Sequence, residues 1–458
     1  MANAAQPGVP AARVLRFLDR LEKENVTMHG FILSVGGRVA AEGYWKPFSA
    51  GQPHRMFSVS KSITALAVGI LAGRGMLSLG DRIADQFPEL LPPRVPETLA
   101  RLTISDMLRM ATCHCAATYR PGVDENWART FFTVPPTNEP GAVFAYDTSA
   151  AQVLAALAEK RTGMPLLSFL EQALFAPIGA TGPKRWLTDP SGVSQGGTGL
   201  LMTLRDLDKV AAFCMGGGGG IVPREFLRAA TAKQIETPMR DNPEERHGYG
   251  YQFWRTRNGF SMYGLGGQLA VCVPDRQLSL CTTADTQLEP YGVQRIYDAF
   301  FEEIVAQDEP APRGGDGAET LLARRLSSLA LPPAPNQPAF ARETPGTYRV
   351  QTGTMGWKRL RLEQGALYLE NHTCWKELRF GLGVWAHGLF PGGAEPCIAS
   401  AGWIAPGSLK LVCHVIGDTP CGVEMLLFCK DRTLTMQMKR VHDPITDGFE
   451  GVCSAAPE

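Results

Sequence analysis

The sequence has no surplus of either charge: 45 Lys and Arg stand against 45 Asp and Glu. That disfavours a nucleic-acid binder built on a broadly basic surface, and equally an acidic disordered chain. Charged residues are scarce at 20%, while hydrophobic ones reach 44%, the balance of a globular chain able to bury a large core. No apolar run attains the roughly 18 residues of a membrane span. The first 25 residues lack a basic start followed by an apolar stretch, so no signal peptide is read there. Cysteine numbers eleven in 458 residues, an odd count that fits reduced thiols better than a disulfide framework. A cytoplasmic location is expected, with neither nucleic acid nor membrane as partner. The sequence also lacks His-Glu-x-x-His, and the five glycines Gly216–Gly220 are not followed by Lys-Ser/Thr, so neither a zinc hydrolase nor a phosphate loop is indicated.

Local patterns divide the chain into three parts. Val14, Leu15, Leu18 and Leu21 recur at helical spacing over residues 11–25. Phe31–Val35 and Arg38–Tyr44 flank Gly36-Gly37 and predict a β-hairpin. Residues 58–72 are apolar almost all round, which predicts a buried helix ending at Gly73 or Gly75. Helical patterns at Ala150–Lys160 and Leu166–Phe175 follow. Strand patterns return with Tyr249–Arg255 and Phe260–Tyr263 around Asn258-Gly259, then Leu269–Val273 and Leu278–Thr283, and residues 291–306 read as a closing helix. Residues 307–340 hold Pro310-Ala311-Pro312 and Pro332–Pro335 around a short helical pattern at 319–329, and read as a linker. Residues 341–458 alternate in short runs between Gly and Pro turns, as in a small β-barrel or sandwich. The reading is therefore an α+β domain over 1–306, a linker, and an all-β domain.

Chemistry concentrates at Phe57-Ser58-Val59-Ser60-Lys61. Residues three apart share a helix face, so Ser58 and Lys61 can touch, and Ser58 falls in the first turn, where free N–H groups favour developing negative charge. A serine hydroxyl needs a base, and a lysine is one only when neutral, a state that burial favours. Two further segments belong with it: Phe144-Ala145-Tyr146-Asp147-Thr148-Ser149 before a helix, and Tyr263-Gly264-Leu265-Gly266-Gly267-Gln268 before a Val-rich strand.

Together these motifs resemble the serine β-lactamase and penicillin-binding-protein superfamily, in its class C-like serine hydrolase branch of esterases, D-peptidases and 6-aminohexanoate-dimer hydrolases. Gly75–Asp81 and Thr103–Leu108 are similar to segments that follow the branch's central helix, and the resemblance spans roughly residues 12–305. It implies an antiparallel sheet flanked by helices plus an all-helical lobe, with a C-terminal all-β barrel-like domain of the kind some members carry. It further implies Ser58 as nucleophile, with Lys61 and Tyr146 sharing the proton work and the N–H groups of Ser58 and Leu265 forming an oxyanion hole. Gly264 and Gly266 would allow close substrate approach. Thr148 stands where the branch has Asn or Ser, keeping a hydroxyl and losing an amide. The Lys-Thr-Gly or His-x-Gly form of the third motif is absent, which argues against a true β-lactamase. No cofactor or metal is implied. His114, Tyr119 and Trp127 are candidate cleft residues.

The expected activity is hydrolysis of an ester or amide in a small molecule or short peptide. A transacylase or peptide cyclase using the same nucleophile is one alternative, separable by product analysis with added acceptors. A catalytically weak ligand-binding protein is another, marked by slow acylation without turnover. Gly192-Val193-Ser194-Gln195-Gly196 matches the G-x-S-x-G elbow in letters, but Asp189-Pro190-Ser191 precedes it where that elbow needs a strand. Cys113-His114-Cys115 lacks a second ligand pair for zinc. The thiols of Cys374, Cys397, Cys413, Cys421, Cys429 and Cys453 are expected to be buried.

Overall fold

The structure, a computed structural model, describes residues 8–289, 291–306, 316–341, 345–372, 374–430, 433–440 and 448–458. Pro310-Ala311-Pro312 of the expected linker lies outside these residues. The chain forms two compact units: the first runs to Thr286 and resumes over Tyr291–Leu329, and the second joins the short segment beginning at Gln287 to Ala330–Glu458.

Strands of the first unit are β1 (Met28–Val35), β2 (Arg38–Tyr44), β3 (His54–Arg55), β4 (Arg185–Trp186), β5 (Leu200–Met202), β6 (Trp254–Thr256), β7 (Gly259–Gly264), β8 (Gln268–Val273) and β9 (Leu278–Ala284). Its longer helices are α1 (Ala11–Lys23), α2 (Val59–Gly73), α3 (Trp127–Thr133), α4 (Thr148–Thr162), α5 (Leu204–Met215), α6 (Arg224–Thr231), α7 (Gly292–Ala299) and α8 (Asp316–Ser328). Six strands make an antiparallel sheet in the order β2-β1-β9-β8-β7-β6. The hairpin turn fits Gly36-Gly37 because both take positive φ, 57° and 72°. Pairing of Ile32 with Cys281 joins the N-terminal hairpin to the last strand, so the helical lobe is an insertion between two halves of one sheet.

Alternation along the strands sends side chains to two cores. Phe31, Leu33 and Leu280 pack with Phe17 of α1, Ile296 of α7 and Phe300. Ile32 and Cys281 pack on the other face with Ile63 and Leu66 of α2 and Leu207 of α5. Strand β9 is accordingly buried at every position. Helix α8 adds Leu322 to the first of these cores, so the helical pattern read at 319–329 belongs to the first unit. A three-stranded sheet, β3-β5-β4, sits beside α2.

Two local expectations need correction. Tyr249–Arg255 is not a strand throughout: Tyr249 makes only isolated bridges, to Ile235 and Trp254, and the strand itself begins at Trp254. Upstream of it Gln252 takes φ 63° and sends its side-chain amide to the carbonyls of Met107 and Leu108, 3.0 and 2.9 Å away. Those carbonyls end the helix Ile104–Leu108, and satisfying them outweighs extended pairing. The closing helix is regular only to Ala299 and widens into π-type turns over Phe300–Val305.

The second unit is a nearly closed antiparallel, barrel-like sheet. In strand Ser408–Val415 buried and half-buried residues alternate strictly, and Leu409, Leu411, Cys413 and Val415 face the interior. The sheet's ends meet where Gly388 lies against the Arg379 side chain. All eleven cysteines are free thiols, and Cys374 is exposed rather than buried because it sits in the turn after Asn371.

Replacing Leu66, fully buried on α2, by Ala should cost the first unit about 2–5 kcal/mol. The expected readout is a lower urea midpoint for the loss of helical circular dichroism.

Candidate active site

Helix α2 is buried from Val59 to Leu71, and the backbone before it is bent to present its N-terminus. Phe57, a bulky residue, takes φ 45° in the left-handed region, where a side chain is strained. Its ring is held between the core and the Arg55 guanidinium, 4.9 Å from the ring centroid. Ser58 then caps the helix, and Lys61 stands one turn on, 1% exposed, with Nζ 2.9 Å from Ser58 Oγ. The same Nζ donates to the Gly197 carbonyl at 2.9 Å. Burial pulls the Lys61 pKa down to about 7, against the opposing pull of the Asp147 carboxylate. A large fraction of this amine is therefore neutral near pH 7, with a lone pair beside a serine hydroxyl.

The Gly197 carbonyl can reach Lys61 because Gly196 and Gly197 have no side chains. A Cβ on Gly196 would lie 2.3 Å from the Ala151 carbonyl oxygen of α4, and one on Gly197 would lie 2.5 Å from Thr148 Cγ2. Thr64 of α2 donates to the Gly196 carbonyl at 2.8 Å, and Gln152 of α4 accepts from its N–H at 3.2 Å. Two helices thus clamp the loop that holds the lysine.

Tyr146 precedes α4. Burial pushes its pKa up to about 12, with Ser58 acting the other way. Lys61 Nζ lies 4.9 Å from the ring centroid. Asp147, the N-cap of α4, fixes the backbone at this point: fully buried, it accepts from the Ser149 N–H at 2.8 Å and from Thr112 Oγ1 at 3.1 Å. Trp254 of β6 stacks on Tyr146 with centroids 5.8 Å apart.

The Arg240 guanidinium lies 5.6 Å from the Tyr146 ring and 5.4 Å from that of Trp254. Glu245, 3% exposed, holds Arg240 with contacts of 2.6 and 2.7 Å. Arg240, Glu245 and Trp254 are not among the residues expected from sequence. No spacing links them to Tyr146, and only the folded loop between α6 and β6 brings them there.

Gly264 ends β7, and a Cβ on it would lie 2.2 Å from the Met56 carbonyl oxygen. The third motif therefore runs against the backbone two residues before Ser58. Gly266 and Gly267 turn the chain at φ 81° and 97°. Gln268, 1% exposed, holds the turn by donating to the carbonyls of Leu265 and Ala284, both at 2.8 Å. The Leu265 side chain is exposed.

The remaining sequence candidates take different positions. Thr148, the first residue of α4, is half-buried with its methyl against Gly197. Tyr119 and Trp127 stack face to face at 4.1 Å and are nearly buried. His114 is corrected from cleft wall to lobe interior: it is 2% exposed, and its Nε2 pairs with the Phe131 carbonyl at 2.8 Å. Ser194 is also 2% exposed, bridges Thr188, and is followed by a loop rather than a helix, so it forms no elbow. Among the described residues no group of three or more His, Cys, Asp or Glu is placed to hold a metal ion.

With this geometry in place, the chain can be set beside known proteins. The Beta-lactamase family profile matches residues 18–297, and the chain belongs to that family. A 6-aminohexanoate-dimer hydrolase of Paenarthrobacter ureafaciens is 26% identical over 299 residues, covering 57% of this chain and 76% of that protein. The solved structure of SurE with D-Leu covers 96% of this chain and 98% of its own at 16% identity, with a TM-score of 0.53. EstCE1, a hydrolase with promiscuous acyltransferase activity, covers 64% of this chain and 98% of its own at 17% identity, with a TM-score of 0.51. No described helix is long and apolar enough to cross a membrane.

Because the Asp147 carboxylate raises the Lys61 pKa, Asp147→Asn should lower it further below about 7 while Asn still caps α4. A carbon-13 titration of the lysine ε-carbon checks the direction, with Lys61→Met assigning the signal.

Proposed function

We propose that the chain is a serine hydrolase that cleaves an ester or amide bond of a small molecule or short peptide through an acyl-enzyme on Ser58. The observation that carries this reading is the 2.9 Å approach of a buried, low-pKa Lys61 amine to Ser58 Oγ. In the first half-reaction neutral Lys61 takes the Ser58 proton while Oγ bonds the substrate carbonyl carbon. Negative charge develops on the carbonyl oxygen at the N-terminus of α2, where the Ser58 N–H, with that of Leu265, receives it. Tyr146 protonates the leaving amine or alkoxide and recovers its proton from Lys61. Water then attacks the ester in the second half, gives its proton to the same pair, and returns Ser58. Proton transfer of this kind contributes roughly 10²–10⁴-fold.

The 6-aminohexanoate-dimer hydrolase relative and the absence of a Lys-Thr-Gly or His-x-Gly third motif favour a short linear amide or ester over a β-lactam. Esters, linear aminohexanoyl amides and D-leucyl or D-alanyl amides form the first panel. Transfer to an amine or alcohol acceptor is the second reading, supported by the promiscuous acyltransferase activity of EstCE1. It predicts a product joined to the added acceptor instead of the free acid.

A fluorophosphonate probe should add one adduct to the wild-type chain by intact mass and none to Ser58→Ala. An adduct that survives the mutation would refute the assignment of the nucleophile. The pH profile carries a sign as well. The working form of Lys61 is neutral, so kcat/KM should fall about tenfold per unit as pH drops below a pKa near 7. Tyr146, with a pKa near 12, should impose no limb below pH 10.

A further inference from the structure

Helix α6, strand β6 and the loop between them enclose an open groove of about 570 Å³, within the roughly 300–1,000 Å³ range of small-molecule sites. Five basic residues line it, Arg228, Lys233, His247, Arg255 and Arg257, and no carboxylate does. None of Ser58, Lys61 and Tyr146 takes part. The concentration is local, since the whole chain is balanced at 45 of each sign.

Two of these cations are neutralised from outside the groove. Arg257 pairs with Glu244 and Asp298, both at 2.7 Å, and Lys233 with Glu236 at 2.6 Å. Arg228 and Arg255 have no carboxylate partner among the described residues. Arg255 is half-buried, and its Nη1 donates to the Thr231 carbonyl at the end of α6, 2.7 Å away. Desolvation pushes its pKa below the usual guanidinium value, the mark of a cation lacking a counter-charge. Thr256, which also lines the groove, is 3% exposed and its Oγ1 has no hydrogen-bond partner. That atom is sealed from the groove, so the groove's charge rests on the two guanidiniums without carboxylate partners. A second hollow of about 480 Å³ shares Arg255 and Arg257 and adds Arg276, opposed there by Asp275.

We propose that this groove binds a phosphate-class dianion, the phosphate or diphosphate group of a small molecule, with Arg255 and Arg228 as its charge partners. Guanidinium forks match the oxygens of such a group, and charge-assisted bonds to it are the stronger kind. The site is independent of the acyl chemistry and stands whether or not Ser58 is the nucleophile.

The test is equilibrium binding to the full chain at ionic strength held constant with sodium chloride. The ligands are inorganic phosphate, pyrophosphate and glycerol phosphate. Saturable binding of at least one is expected, weakened at least about tenfold in Arg255→Gln and in Arg228→Gln. In both variants fluorophosphonate labelling of Ser58 should be unchanged. Tightest binding of glycerol phosphate would identify an organic monoester, and of pyrophosphate a diphosphate reaching the second hollow. Preference for inorganic phosphate would identify the free ion. Arg228 is exposed and its replacement leaves the core untouched, so that variant decides the matter should Arg255→Gln fail to fold. Absence of saturable binding, or equal affinity in Arg228→Gln, would overturn the proposal.

Discussion

The site depends on keeping one amine out of water. Lys61 is a long, strongly hydrated cation in solution, and placing it 1% exposed inside a helical lobe is tolerable only if it sheds its charge and keeps its hydrogen bonds. The fold supplies both conditions. Lys61 stands on a helix buried from Val59 to Leu71, and the Gly197 carbonyl takes one N–H. The glycine pair exists because α2 and α4 close on that loop too tightly for any side chain. Asp147 works in the opposite sense, raising the lysine pKa while fixing the start of α4. The pKa near 7 is thus the balance between burial and one nearby carboxylate.

Much of this was legible in the residues, for reasons that can be stated. Ser58 and Lys61 are three apart in an apolar stretch, so local helix geometry alone predicts their contact. The hairpin at Gly36-Gly37 and the alternation in Ser408–Val415 are equally local signals. What escaped depends on long-range closure. Arg240 reaches Tyr146 through a loop that carries no regular pattern, and Gly197 sits in a stretch whose letters suggest an elbow it does not form. The strand pattern at Tyr249–Arg255 is real in composition, yet Gln252 takes a positive φ and bonds to the Met107 and Leu108 carbonyls, which interrupts it. His114 looked available beside a loop, but its ring partner is the Phe131 carbonyl inside the lobe. Exposure of Cys374 depended on where one barrel turn falls, which composition does not reveal.

The loop between α6 and β6 serves two surroundings with consecutive residues. Glu244 turns to Arg257 on the wall of the basic groove, and Glu245 turns to Arg240 above the Tyr146 ring. Adjacent side chains in a short 3₁₀ turn point in different directions, so one segment can stabilise a guanidinium on each side. Both carboxylates are buried, which makes each pairing costly to break from one side alone.

The pairing of β1 with β9 has a consequence for how the chain is made. The first strands leave the ribosome long before the strand that completes their sheet, and the helical lobe emerges between them. Non-local pairing of this kind is slow and is reached only after the loop entropy between its halves has been lost. Ser58 and Lys61 are synthesised early, but the Gly197 loop, β6 and the Gly264 turn come later. A nascent or truncated chain therefore holds Ser58 and Lys61 without the surroundings that bury the amine and take its hydrogen bond. The same topology that splits the sheet delays assembly of the candidate site until synthesis of the first unit is nearly finished.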